Sequence, residues 1–217
     1  MSEVKPVIVP EPAKLEFRER WLSFDGFSNL DPFIAGEFNL PKGKWEIKRV
    51  EREGTGLEVK EGYVEVWGDP RIYTATLIQL VMQSGCCAIP DVRVEEKLRF
   101  EFRGFHLDVA RGGVASVEEL KRLLRWLFLL KYNFLAIYVE DLFPWDRHPD
   151  IGAKRGRYTN EEWREVVEYG KKLGIEVFPS LELAGHMENI LTLPKYWRYS
   201  EWHRPEEGCL DVGDPEA

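Results

Sequence analysis

The sequence predicts an α/β protein, a small α+β domain over residues 1–103 followed by an incomplete TIM (β/α)₈ barrel over residues 104–217. Three observations carry that reading. Alternating apolar and polar runs dominate the chain up to Arg103, short apolar runs then alternate with amphipathic helical patterns, and each later run ends at or near a carboxylate. A closed barrel takes about 250 residues in roughly eight βα units. The 217 residues, less a leading domain, leave room for three.

After a Pro-containing lead, residues 45–50 and 62–67 place apolar and polar groups on opposite faces, as half-buried strands require. Glu53-Gly54-Thr55-Gly56 between them reads as a turn. Residues 71–82 set Ile72, Ala75, Leu77, Ile78, Val81 and Met82 at near-helical spacing, with Gly85 as the stop, and 91–94 reads as a further short strand. Strands with a covering helix make this domain α+β.

In the second domain the apolar runs are 105–109, 134–140 and 175–182. Their near-continuous apolar character predicts burial on both faces, as in a parallel sheet. Pro179 is at odds with a ladder because it has no N–H to donate. Ser116 with Glu119, and Thr159 with Glu162, each form a capping box ahead of an amphipathic helix. The first helix aligns Val117, Leu120, Leu123, Leu124 and Leu127; the second buries Trp163, Val166 and Val167 and stops at Gly174. Trp126 and Trp163, at helical positions, are expected to be packing residues. The order βαβαβ takes the right-handed crossover.

Composition narrows the function classes. Hydrophobic residues make up 44% and charged residues 31%, globular values that exclude disorder and collagen-like repeats. With 38 acidic against 30 basic side chains the formal charge is −8, so a nucleic-acid partner is not expected. Residues 1–12 lack the apolar stretch of a signal peptide. The most apolar helical stretch, 123–130, carries Arg125 and falls far short of the roughly 20 residues that span a bilayer. Cys86, Cys87 and Cys209 are odd in number, with two adjacent, and indicate no disulfide framework. A soluble, cytoplasmic protein without a membrane partner is the expectation, and the abundance of Glu, Lys and Arg suits a thermophile. No Gly-rich phosphate loop, Gly-x-Ser-x-Gly elbow or kinase signature appears.

The later apolar runs close on Asp108, on Glu140 with Asp141, and on Glu182. In parallel α/β architectures the carboxyl ends of the strands form the ligand-binding rim, so the recurrence puts these acids on one side of the molecule. Taken singly, each also suits a loop acceptor or a helix cap. Arg111 follows Asp108, and Gly112-Gly113 leaves its loop open; the guanidinium fork suits vicinal hydroxyls, a carboxylate, or an ion pair with a neighbouring acid. His186, just past Glu182, suits acid/base support near neutrality or a structural role. His106 shares the strand parity of Asp108, whereas His148 and His203 sit in polar loops. A metal centre would recruit His106, Asp108, Glu182 and His186, but no close His pair or Cys cluster has ligand spacing. Neither a metal nor another cofactor is expected. The loop residues Trp145, Trp197 and Trp202 can stack on sugar rings or anchor their loops on the core.

Four segments together resemble one family. Arg103-Gly104-Phe105-His106-Leu107-Asp108-Val109-Ala110-Arg111 resembles the first barrel strand of the family 20 glycoside hydrolases, the β-N-acetylhexosaminidases. Tyr138-Val139-Glu140-Asp141 is similar to their acidic pair at the second strand, Arg157-Tyr158-Thr159-Asn160-Glu161-Glu162 to their second-helix entry, and Glu182-Leu183-Ala184-Gly185-His186 to their third-strand end. The resemblance runs from about residue 45 to the C-terminus, because a small α+β domain ahead of the barrel is also a family feature. It implies that Arg111 holds the hydroxyls of a terminal N-acetylglucosamine or N-acetylgalactosamine residue. It also implies that Glu140, Asp141, Glu182 and His186, with Asp108 in support, form the charged network that orients and tunes the catalytic pair. Glu140 and Glu182 stand where better-known members have aspartates, and no Gln-Trp follows Asp141; this variant looks closer to a bacterial and archaeal subgroup.

The family's hydrolysis is substrate-assisted: the 2-acetamido carbonyl attacks the anomeric carbon, so the protein supplies an acid and a polarising carboxylate rather than a nucleophile. That pair is an adjacent Asp-Glu after the fourth barrel strand. No catalytic residue is therefore assigned within the 217 residues; the pair is expected beyond Ala217, and the chain alone is expected to be inactive. Unpaired strand edges lead us to expect a complementary C-terminal chain or self-association. Two other readings stay open, a non-catalytic carbohydrate-binding or structural fragment and a metal-dependent barrel hydrolase built on His106 and Asp108.

Overall fold

A computed structural model describes residues 4–217 and divides them into two compact units, the residues up to Arg103 with Arg125–Asn133, and Gly104–Leu124 with Phe134–Ala217. The first unit contains strands β1 (Lys14–Ser23), β2 (Glu46–Arg49), β3 (Thr55–Lys60), β4 (Tyr63–Trp67) and β5 (Ala88–Glu96), with helices α1 (Pro32–Glu37) and α2 (Pro70–Met82). The strands form one sheet in the order β1-β5-β3-β4-β2, antiparallel except where β2 runs parallel to β4. Asp69 opens α2 by accepting the Arg71 N–H at 2.9 Å, and Pro70 supplies a preset φ at the first helical position. The helix then buries Ile72, Leu77, Ile78 and Val81 in a core shared with Leu57, Val59, Val64, Val66, Val92 and Val94.

Two elements of this sheet differ from the sequence expectation. The stretch read as a turn contains the start of β3: Gly54 turns, at φ +77°, and Thr55-Gly56 already pairs with its neighbours. Gly56 is needed there, since a Cβ would lie 2.5 Å from the Trp67 ring and 2.3 Å from the Val94 carbonyl oxygen. In β1 the period of two breaks at a bulge between Phe17 and Trp21, where Glu19 takes φ +52°. The short strand expected at 91–94 is the middle of the longer β5.

Helix α3 (Val117–Leu129) ends at Lys131, which adopts φ +64° and closes the helix through Lys131 N–H to Phe128 O (3.0 Å) and Tyr132 N–H to Leu127 O (2.9 Å). Its ammonium is wholly buried and lies 2.7 Å from Glu96, which also accepts from the Thr76 hydroxyl. Burial pulls the Lys131 pKa down, against the opposing pull of Glu96. Trp126 is 59% exposed and does not pack, contrary to expectation, because the face that is buried carries Leu120, Leu124, Leu127 and Phe128.

In the second unit β6 (Gly104–Asp108), β7 (Phe134–Tyr138) and β8 (Glu176–Ser180) form a parallel sheet in that order, with Asp108 level with Tyr138 and Tyr138 level with Ser180. Helix α4 (Asn160–Lys172) begins with the full capping box: Thr159 Oγ accepts from Glu162 N–H at 3.1 Å, and Glu162 accepts from Thr159 N–H at 2.8 Å. At α3 the Ser116 hydroxyl accepts from Glu119 N–H at 3.3 Å, while the Glu119 carboxylate pairs with Arg122. Gly170 lets α4 settle onto β8, for a Cβ there would meet Val177 Cγ2 at 2.5 Å.

Burial on both strand faces does not hold for the described residues. Leu135, Ile137 and Val177 are buried, whereas β6 is mostly exposed and Phe178 is 36% exposed. Pro179 fits its strand for a simple reason. Ser180 accepts the Val139 N–H at 3.2 Å, so by strand alternation the nitrogen of Pro179 faces away from β7 and no bond between the two strands is lost. Beyond β8, α5 (Glu188–Leu191) precedes a set of short turns; Ile190 and Tyr196 from this stretch cluster with Ile151 from the loop ahead of α4. Among the described residues no helix is long and apolar enough to cross a membrane, and Cys86, Cys87 and Cys209 are unbridged.

Candidate active site

The in-step ends of β6, β7 and β8 set the site. His106, Asp108, Arg111, Tyr138, Glu182 and His186 line a cleft of about 380 Å³ at those ends. The Ala110 N–H bonds to Asp108 Oδ1 at 2.9 Å and folds the chain back into a tight turn directly after β6. Arg111 then donates to Glu140, lies 3.8 Å from Asp108 Oδ2, and carries its guanidinium carbon 5.3 Å from the Tyr138 ring centroid. Bonding to Tyr138 and Glu140 holds the guanidinium protonated more firmly than a free arginine.

Glu140 follows β7 at φ +43° with its side chain 2% exposed, so its carboxylate meets Arg111 from within the protein. Asp141, the next residue, is also buried but does not line the cleft; it pairs with Arg155, whose other Nη donates to Ala110 O at 2.6 Å. Burial raises the Asp141 carboxyl pKa, and Arg155 opposes the shift. Its Oδ2 has no hydrogen-bond partner among the described residues. Tyr138 lies centrally, with the rings of His106 and His186 edge-on to it at 5.8 and 6.5 Å. Burial also raises the Tyr138 phenol pKa.

The structure thus brings Asp108, Arg111, Glu182 and His186 to one cleft, seats Glu140 beneath Arg111, and links Asp141 to Arg155. Among the described residues no three His, Cys, Asp or Glu converge as metal ligands, even though His106, Asp108, Glu182 and His186 share the cleft. Of the loop tryptophans, Trp145 packs beside Phe143 at 4.9 Å, Trp197 donates to Thr192 O at 2.7 Å, and Trp202 is 73% exposed; none lines the cleft. His148 bonds to the Tyr196 hydroxyl at 2.8 Å. Two central residues, Tyr138 and Arg155, have no role in the sequence reading. Tyr138 was within reach, since it shares strand parity with Glu140, whereas Arg155 sits in an aperiodic loop.

Residues 100–207 match the family model described as "Glycosyl hydrolase family 20, catalytic domain". The chain is 30% identical over 154 residues to the β-hexosaminidase of Vibrio furnissii, covering 59% of this chain and 25% of that protein. It is 26% identical over 204 residues to a β-hexosaminidase of Akkermansia muciniphila, covering 84% and 39% respectively. It therefore spans well under half the length of these curated relatives. Among solved structures, a family 20 β-N-acetylglucosaminidase aligns with TM-score 0.65 at 26% identity, over 86% of this chain and 44% of that one. The fold of the exo-β-N-acetylglucosaminidase of Vibrio harveyi, solved with N-acetylglucosamine, aligns with TM-score 0.76 at 19% identity over 99% and 44%. By its ordered strand-end motifs, its fold and these matches, the chain belongs to glycosyl hydrolase family 20.

Proposed function

We propose that this chain carries the sugar-holding side of a β-N-acetylhexosaminidase site on a (β/α)₈ barrel, acting on glycans that end in N-acetylglucosamine or N-acetylgalactosamine. The observation behind this is Arg111, a guanidinium anchored on one edge by buried Glu140 and presented in a cleft rimmed by Asp108, Glu182 and His186. Anchoring on one side leaves the remaining N–H donors for sugar hydroxyls. Glu140 fixes that fork, Asp141 steadies the same strand end from inside, and Glu182 with His186 supplies the charged wall facing the acid and polariser.

The sequence contains no Asp-Glu dipeptide. In this reading the acid that protonates the leaving oxygen, and the carboxylate that polarises the attacking acetamido group, come from protein outside these residues. A complementary segment or second chain pairing with the strand edges supplies them, and three unbridged cysteines favour a cytoplasmic setting.

The test uses the 217-residue chain itself. Titration with N-acetylglucosamine by NMR should show weak binding that Arg111→Ala removes, and p-nitrophenyl N-acetyl-β-glucosaminide should release no p-nitrophenol. Turnover by the purified chain, or binding indifferent to Arg111→Ala, would overturn the proposal.

A further inference from the structure

Arg155 occupies an unusual position relative to the cleft it does not line. One Nη donates to Asp141, the residue after Glu140, and the other donates to the carbonyl of Ala110, the residue before Arg111. The two partners of the Arg111–Glu140 pair thus each have a chain neighbour held by one guanidinium. The turn that delivers Arg155 is pressed against the same strand end. Gly152 takes φ +67° with its Cβ position 2.2 Å from the Asp141 carbonyl oxygen, and the Arg155 N–H bonds back to Gly152 O at 3.0 Å. Arg157 braces that turn through Ile151 O at 2.9 Å.

From this we infer that Arg155 is a positioning residue, which fixes the spacing between the β6 and β7 ends and so aims Arg111 into the cleft. The fork geometry matters because one rigid, planar group spans two acceptors on different chain segments; a lysine ammonium is a point charge on a flexible stem. Removing the fork takes away the ion-pair partner of buried Asp141 and frees the Ala110 carbonyl. The Ala110–Arg111 peptide then loses its second tether, while the Ala110 N–H bond to Asp108 remains as a hinge. Coupling of this kind acts through Arg111 rather than on the sugar.

The inference rests on the reading of Arg111 as a sugar-holding residue, so its test has a readout independent of sugar. In ¹⁵N NMR spectra of the wild-type chain at low temperature the Arg111 Nη–H that donates to Glu140 should be a distinct, exchange-protected signal, and Arg155→Ala should move it to the position and exchange rate of a free arginine. Arg155→Lys, which keeps the charge and is the safeguard if the alanine variant does not fold, should show the same change in part. In titrations with N-acetylglucosamine, Arg155→Ala should weaken binding by about tenfold, the size of losing a hydrogen bond to a charged group. An Arg111 Nη–H signal unchanged in either folded variant overturns the inference whatever the sugar does. Absent binding by the wild-type chain, with the signal still moved by Arg155→Lys, would instead count against the sugar reading alone.

Discussion

Arg111 and Glu140 join the ends of two adjacent parallel strands, a half-exposed guanidinium meeting a carboxylate that is 2% exposed. The buried partner is fixed by its surroundings and the exposed one is left able to reach outward. Glu140→Gln keeps the size and an acceptor oxygen but removes the charge, so Arg111 should stay in place with a looser hold. N-acetylglucosamine binding is expected to weaken severalfold in Glu140→Gln, and by about tenfold or more in Arg111→Ala. Calorimetry on the two variants checks the order; equal losses would mean that Glu140 matters to the sugar directly.

The buried Lys131–Glu96 pair in the first unit should be costly to break and cheap to replace. Lys131→Met strands a carboxylate in an apolar setting and should lower stability by about 3–5 kcal/mol. Combining it with Glu96→Gln removes the charge while keeping an acceptor for Thr76, and most of the loss should return. Urea unfolding of both variants decides this, and a double variant no better than the single one would show that the pair itself supplies net stability.

Two helical glycines should respond in opposite directions to alanine. At Gly170 the added methyl runs into Val177 and Ile175, and about 1–3 kcal/mol of overpacking is expected. At Gly36, in α1, nothing lies within 4 Å of the Cβ position, so alanine should gain about 0.5–1 kcal/mol through reduced chain entropy. The shift in urea midpoint gives the sign of each.

Tyr158 sets a stability window at high pH. Its hydroxyl donates to Ala115 O at 2.6 Å, and burial, with the charge of Glu162 adding, pushes the phenol up to about 12 from 10.0. The folded state keeps the proton after the unfolded chain has released it, so this contribution is complete below pH 10 and is lost as pH rises to about 12. Stability measured across that range should fall less steeply in Tyr158→Phe, and identical slopes would show that the phenol ionises as freely in the folded protein.

The strands with clean periodicity are legible in the sequence, and so are the helices with caps. Thr159 and Glu162 announce α4, and the spacing of Ile72, Leu77, Ile78 and Val81 announces α2. What escapes is set by local departures from period. The bulge at Glu19 scrambles the alternation of β1, and the glycines flanking Thr55 mask the opening of β3. At the site, strand ends point to Asp108, Glu140 and Glu182 because the chain repeats itself there. Arg155 is invisible by the same logic, since its partners are a carboxylate and a main-chain carbonyl on two segments distant in sequence.

The proline in β8 has a consequence for any strand that arrives on the side away from β7. Along that rim alternation leaves Val177 as the residue of β8 with an N–H to give, while Pro179 offers only its carbonyl. An incoming carbonyl set opposite Pro179 forfeits a bond worth about 0.5–1.5 kcal/mol, and more if the site is dry. Indiscriminate cross-β growth is thereby discouraged without a charged gatekeeper. The rim works as a keyed joint, favouring a newcomer whose backbone kinks or turns away where the key sits.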